Sequence, residues 1–177
     1  PDMEDVMRSQ GYPLFSLETK TPVRDFDMVG FTLQYEMSFT NVVNMLSLAG
    51  VHLKSADRKS LAPLVVAGGP CACNPEPVAD FVDLFIIGEG EEVNIELTEL
   101  YIKHKKAGYS KEKFLREASH IKGIYVPSLY DVEYNDDGTI KLFAPKYPDV
   151  PEKVQKRIVE DMDKAPYPEK FIVPFIQ

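Results

Sequence analysis

The sequence predicts an α/β fold: a mostly parallel sheet with helices flanking it. Three features predict it. Short apolar runs at Asp27 to Leu33, Leu64 to Ala67 and Leu84 to Ile87 have the length and composition of buried strands. Segments with helical spacing lie between and after them, the pattern of a parallel sheet covered on both faces. The second and third runs each stop at glycine, in Gly68-Gly69-Pro70 and Gly88-Glu89-Gly90-Glu91. Two flexible turns are thereby set at the carboxyl end of the sheet, where open α/β folds bind ligands.

The elements follow in order. Pro1 and Asp2 start a short helix through Val6 and Met7, and Gly11-Tyr12-Pro13 breaks it. After the first strand, Phe39, Val42, Val43, Leu46 and Leu48-Ala49 fall on one face of a helix, with Ser38 as its N-cap and Gly50 as its stop. Pro75 to Phe81 forms a short helical connection between the second and third strands. Glu91 to Lys106 reads as a long amphipathic helix, acidic at its start and basic at its end, as the helix dipole favours. Gly108 ends it, and Ser110 caps another helix through His120. Beyond Ile121 the texture changes. Ile124-Tyr125-Val126-Pro127 is a short apolar strand, and Val132 to Tyr134 and Ile140 to Phe143 flank Asn135-Asp136-Asp137-Gly138, a hairpin signal. From Pro145 onward prolines recur among charged residues, which reads as an extended connector without a core of its own. It ends on the apolar run Phe171 to Ile176.

Composition excludes several functions. With 20 Lys and Arg against 28 Asp and Glu, the net charge is −8, which argues against contact with nucleic acid. Lys103-His104-Lys105-Lys106 reads as the solvated end of a helix. No apolar run approaches the ~20 residues that span a bilayer, so no membrane contact is expected. Cys71 and Cys73 are one residue apart, too close for an easy disulfide, and a reducing cytoplasm is the default. The chain opens on Pro1-Asp2 without an initiator methionine and reads as a piece of something longer.

The candidate chemistry is sparse. There is no GxGxxG loop and no P-loop lysine, so a free-standing nucleotide binder lacks its phosphate loop. The glycines at 68, 69, 88 and 90 have two readings: they let the chain turn off the sheet, or they let a cofactor approach the backbone. Glu89, Glu91 and Glu92 suit the start of a helix, and Glu91 could also accept a hydrogen bond from a ligand hydroxyl. Thr32, Tyr35 and Glu36 follow the first strand at the same sheet edge, where they either contact a ligand or cap the next helix. Cys71-Ala72-Cys73 has neither the redox spacing nor a second pair for zinc. His52, His104 and His120 lie apart, and no Ser-His-Asp or His-x-x-x-His arrangement includes them. No catalytic constellation is visible.

Val29-Gly30-Phe31-Thr32-Leu33-Gln34-Tyr35-Glu36, Ala67-Gly68-Gly69-Pro70, Asn74-Pro75-Glu76-Pro77 and Ile87-Gly88-Glu89-Gly90-Glu91 together resemble the amino-terminal, cobalamin-binding-like region of a family of radical SAM proteins. Lys156-Arg157-Ile158-Val159-Glu160-Asp161 and Pro174-Phe175-Ile176 resemble that family's approach to its catalytic barrel. The resemblance implies a Rossmann-like domain over 1–127, a hairpin appendage over 128–146, and a proline-rich linker over 147–177 leading to a radical SAM barrel of the same parent chain. That barrel would carry a [4Fe–4S] cluster on a C-x-x-x-C-x-x-C loop and cleave S-adenosylmethionine. This chain has no such loop, so it is expected to be inert alone. The resemblance further implies a cobalamin-type cofactor site at Thr32, Tyr35, Gly68, Gly69, Gly88, Glu89 and Gly90. The Ser-x-Leu segment of cobalamin domains aligns with Thr32-Leu33-Gln34, and their Gly-Gly pair with Gly68-Gly69. Nothing matches the Asp-x-His-x-x-Gly whose histidine ligates cobalt. The rival reading is a structural or interaction module that has lost its cofactor. An exposed sheet edge would allow the fragment to dimerise.

Overall fold

The computed structural model describes residues 2–166; the apolar run Phe171 to Ile176 lies outside them. Four strands form the central sheet in the order β1 (Met28–Thr32), β2 (Leu64–Gly68), β3 (Leu84–Ile86) and β4 (Ile124–Tyr125). The first three run parallel, with Gly30 beside Val66, Thr32 beside Gly68 and Ala67 beside Phe85. β4 closes the sheet antiparallel, Ile86 pairing with Ile124. The predicted α/β class holds, including the separate hairpin of β5 (Tyr130–Tyr134) and β6 (Ile140–Pro145).

Burial explains which segments became strands. Leu64, Val65, Ala67, Leu84 and Phe85 are fully enclosed, as central parallel strands must be when both faces are covered. α1 (Asp2–Gln10) packs on α2 (Phe39–Ala49), tied by Arg8 to Asn44 and by Asn44 to Glu4. α2 buries Val42, Leu46 and Ala49, three positions on one helical face. α3 (Val93–Ala107) starts beside the glycine exit of β3 and runs back to the opposite end of β1. There the Tyr101 hydroxyl donates to the Asp27 carbonyl at 3.3 Å, and Lys105 meets the Asp27 carboxylate at 2.6 Å. α4 (Lys111–Ala118) begins where Ser110 accepts from the Lys113 amide, the cap expected from its sequence.

Some local expectations give way to tertiary contacts. Ser38 does not cap α2 through its side chain; its hydroxyl donates to the Tyr35 carbonyl at 2.7 Å, stabilising the turn before the helix. His104 is not at a solvated helix end. It is fully buried between Tyr109 and Phe114, with Nε2 2.9 Å from Glu117.

A charged cluster sits at the amino end of β3. Asp83 is enclosed, and its carboxylate receives Arg58, Lys111 at 2.6 Å, the Ser55 hydroxyl and the Val65 amide. Arg58 spends its remaining donors on the carbonyls of His52, Leu53 and Phe81, and Lys111 on those of Ser55 and Arg58. Every donor of both cations is therefore taken, as buried charges require. The cluster pins loop 52–60 to β3 and to the start of α4.

A candidate ligand crevice at the glycine exits

Along β1 and β2, side chains alternate between faces, so Gly30, Thr32, Val66 and Gly68 share one face by their register. Ile86 and Gly88 continue that face from β3. Together with Phe31, Ala67, Gly69, Gly90 and Asn94 they line a crevice of about 410 Å³. Asn94 belongs to the first turn of α3, so the crevice opens between the carboxyl ends of the strands and that helix. It is the position at which an open α/β sheet offers a ligand site.

Four of the five glycines that line the crevice show that they are not equivalent. A Cβ on Gly69 would lie 3.0 Å from the Leu33 carbonyl oxygen and 3.0 Å from Thr32 Cγ2, and its φ is +94°. At Gly88 φ is +112°, and a Cβ would strike the backbone of Arg157, 2.7 Å from its amide nitrogen. Both glycines are thus required by the chain's own packing. Gly30 and Gly68 are not. A Cβ on Gly30 would meet nothing within 4 Å, and one on Gly68 would make only an ordinary 3.6 Å contact with Ile86. These two positions leave a bare, flat floor.

Residues 156–159 occupy the neighbouring backbone. Arg157 pairs in parallel with Gly88: its amide donates to the Ile87 carbonyl at 2.8 Å, and its carbonyl accepts from the Glu89 amide at 3.2 Å. Its guanidinium reaches Glu96 at 2.7 Å and also pairs with Glu92. The Val159 amide donates to the Glu89 carboxylate, and Val159 is buried. The stretch read as a connector is extended, but here it lies against the body as a strap. That placement also explains the acidic turn differently from its sequence. Glu89 and Glu92 bind the strap instead of capping free helix amides, and Glu92 makes no side-chain cap.

Of the expected site residues, Thr32, Gly68, Gly69, Gly88 and Gly90 line the crevice. Glu89 faces the strap, and Tyr35 is exposed with its hydroxyl on Met37 Sδ. Glu36 lies beside Cys71; burial, then this carboxylate, push the Cys71 thiol above its ordinary range, so it stays protonated and weakly nucleophilic. The sequence reading missed Gly30 and Asn94. Gly30 carried a signal, a glycine inside an apolar strand where nothing turns.

None of the three histidines lines the crevice: His52 is exposed, His104 is spent on Glu117, and His120 faces the carbonyls of Arg116 and Asp149. A histidine ligand to cobalt therefore does not fit here. Among the described residues no group of three His, Cys, Asp or Glu is placed to hold a metal ion, and no helix is long and apolar enough to cross a membrane.

A larger cavity of about 940 Å³ lies between loop 54–59 and the hairpin. Its buried polar groups are already committed: Arg58 and Lys111 to Asp83 and backbone carbonyls, and Glu76 to the hydroxyls of Tyr125 and Tyr134. The smaller crevice keeps its polar side chains free. Thr32 and Asn94 are both exposed, and neither side chain has a hydrogen-bond partner among the described residues.

Fold and crevice define an open α/β domain with a ligand-type cleft at the carboxyl ends of its parallel strands. Residues 1–127 match the family described as radical SAM proteins, N-terminal, and the chain belongs to it. An uncharacterized protein of Methanocaldococcus jannaschii is 31% identical over 123 residues, covering 68% of this chain and 26% of that protein. The chain thus spans about a quarter of the length of this curated relative. No solved structure matches it.

Proposed function

We propose that the chain is the N-terminal accessory domain of a radical SAM protein, inert alone, whose crevice receives a cofactor or part of a substrate. The family implies a [4Fe–4S] cluster and S-adenosylmethionine in a catalytic domain elsewhere in the parent chain. Cys71 and Cys73 cannot supply that cluster, because a C-x-C pair offers two thiolates where the radical SAM loop uses three. The observation that carries the reading is the floor at Gly30 and Gly68. No packing partner requires glycine at either position, so both leave backbone open to an incoming ligand.

Cobalamin is the cofactor to test first, because the family resemblance points to it. It would bind without a histidine from this crevice on cobalt. A cleft of about 410 Å³ also sits low in the usual ligand-site range and would enclose only part of so large a molecule. Gel filtration after mixing with hydroxocobalamin tests this. Retained colour that is reduced in Gly68→Ala supports cobalamin, and no retained colour counts against it.

The second reading, a structural module that docks the catalytic barrel, is favoured by a different observation. Gly69 and Gly88 need no ligand, since Leu33, Thr32 and Arg157 already fill the space beside them. Under that reading the strap fixes the direction in which the chain leaves toward the barrel. The outer edge of β1 is a further proposed contact, for the barrel or for a second copy. Light scattering of the chain at high concentration tests the second copy, and a monomer there removes it.

A further inference from the structure

We propose that His120 is a pH-sensitive clip at the root of the strap. Protonated, it fastens the turn over 147–150 to the end of α4; on losing its proton it gives up one of its two holds.

His120 Nδ1 lies 2.9 Å from the Arg116 carbonyl oxygen, and Nε2 lies 2.7 Å from the Asp149 carbonyl oxygen. A carbonyl oxygen only accepts, so each ring nitrogen must carry a hydrogen to bond there. The imidazolium has both hydrogens. A neutral ring has one, and in either tautomer it turns a lone pair toward the other carbonyl. The place suits a cation for a second reason. Arg116 lies in the last turn of α4, where unpaired carbonyls gather and positive charge is stabilised. The Ser119 hydroxyl donates to the same carbonyl at 2.7 Å, leaving its second lone pair for the ring.

The turn so held leads directly to the strap. Its Val150 is buried, and the Val150 amide closes it on the Tyr147 carbonyl at 3.1 Å. The Arg116 guanidinium lies over the Tyr147 ring at 4.5 Å and pairs with the Asp149 carboxylate at 2.5 Å. That pairing holds the Asp149 carboxyl below the usual carboxylate range, so the ion pair persists near neutrality. Other charged groups border His120: Glu112, Lys113 and Glu117 from α4, and Glu96, Glu99 and Lys103 from α3. Behind Glu117 stands the buried His104. Histidine is the side-chain type that changes charge between about pH 5 and 8. The clip is therefore complete at the acid end of that range and loosens as pH rises through it.

Hydrogen exchange at the Val150 amide, corrected for the intrinsic rate at each pH, tests the proposal. Loss of one hydrogen bond predicts protection at least about two-fold higher at about pH 5.5 than at about pH 8. His120→Ala and His120→Gln should both abolish this ratio and leave the Val65 amide of β2 slow, since the side chain they change is exposed. Asp149→Asn weakens the ion pair but keeps the Asp149 carbonyl, so it should lower protection at both pH values and preserve the ratio. Equal protection at the two pH values in the unaltered chain overturns the clip. A ratio that survives both His120 substitutions assigns the effect to His104 and overturns it as well. Loss of the ratio in Asp149→Asn alone would place the switch in the ion pair instead.

Discussion

Asp83 and Gly88 show how single positions carry very different energies in this domain. Among the described residues, the Asp83 carboxylate is the only counter-charge of the enclosed Arg58 and Lys111 side chains. Burial lowers the Lys111 pKa, and Asp83 opposes that effect. Removing the carboxylate leaves two cations out of water, so Asp83→Ala is expected to cost about 3–5 kcal/mol, read from the urea midpoint. At Gly88 the cost has another origin. Gly88→Ala places a side chain at positive φ and against the Arg157 backbone, for a loss of about 1–3 kcal/mol. Gly30→Ala in β1 should instead be neutral or gain up to about 1 kcal/mol, because nothing obstructs its Cβ. Equal losses at 30 and 88 would contradict the assigned roles.

Among the elements, the strap is the piece whose behaviour the fold makes most testable. It is held by a short parallel pairing at Gly88, by the Arg157 guanidinium on Glu92 and Glu96, and by the Val159 amide on Glu89. Arg157→Ala removes the ionic contacts and leaves Glu92 and Glu96 facing each other one helical turn apart. Amide exchange at Glu89 and Val159 should then accelerate, while exchange at Val65 and Ala67 in β2 stays slow. Uniform acceleration would mean that the strap and the sheet open together. The hairpin is tied differently, through stacking of Tyr130 on Phe143 at 4.8 Å and contact of both with Tyr125. Phe143→Ala should loosen β5 and β6 without altering the crevice.

Across the whole molecule, buried phenols set the alkaline limit. Burial raises the pKa of Tyr101, Tyr125 and Tyr130, and nearby carboxylates of Asp27 and Glu76 add to the effect on the first two. The folded chain therefore keeps protons that the unfolded chain loses near pH 10. Stability is fully present below that pH and falls as pH rises above it. Tyr125→Phe should flatten this alkaline decline, measured as urea midpoints between pH 8 and 11. An unchanged slope would place the titration elsewhere. The chain carries a net charge of −8 and β1 is an outer strand of its sheet, so a protein docking on that edge would add a strand or bring complementary positive charge.

Local chemistry was enough for the elements. Apolar runs such as Leu64 to Ala67 can be satisfied only as buried strands, Ser110 carries its own cap, and Asn135 to Gly138 its own turn, so these were legible from the sequence alone. The convergence of Thr32, Gly68 and Gly88 was legible too, because parallel strands that end in glycine bring their exits to one side. What each glycine serves was decided in three dimensions. Gly88 yields to Arg157, 69 residues further along the chain, and Gly30 yields to nothing, yet each is merely a residue without a side chain in the sequence. The Asp83 cluster and the strap likewise join segments far apart. Hydrophobic period and turn preference act over a few residues and are written locally. Whether a charge finds its partner, or a backbone its neighbour, depends on distances that exist only once the chain has closed on itself.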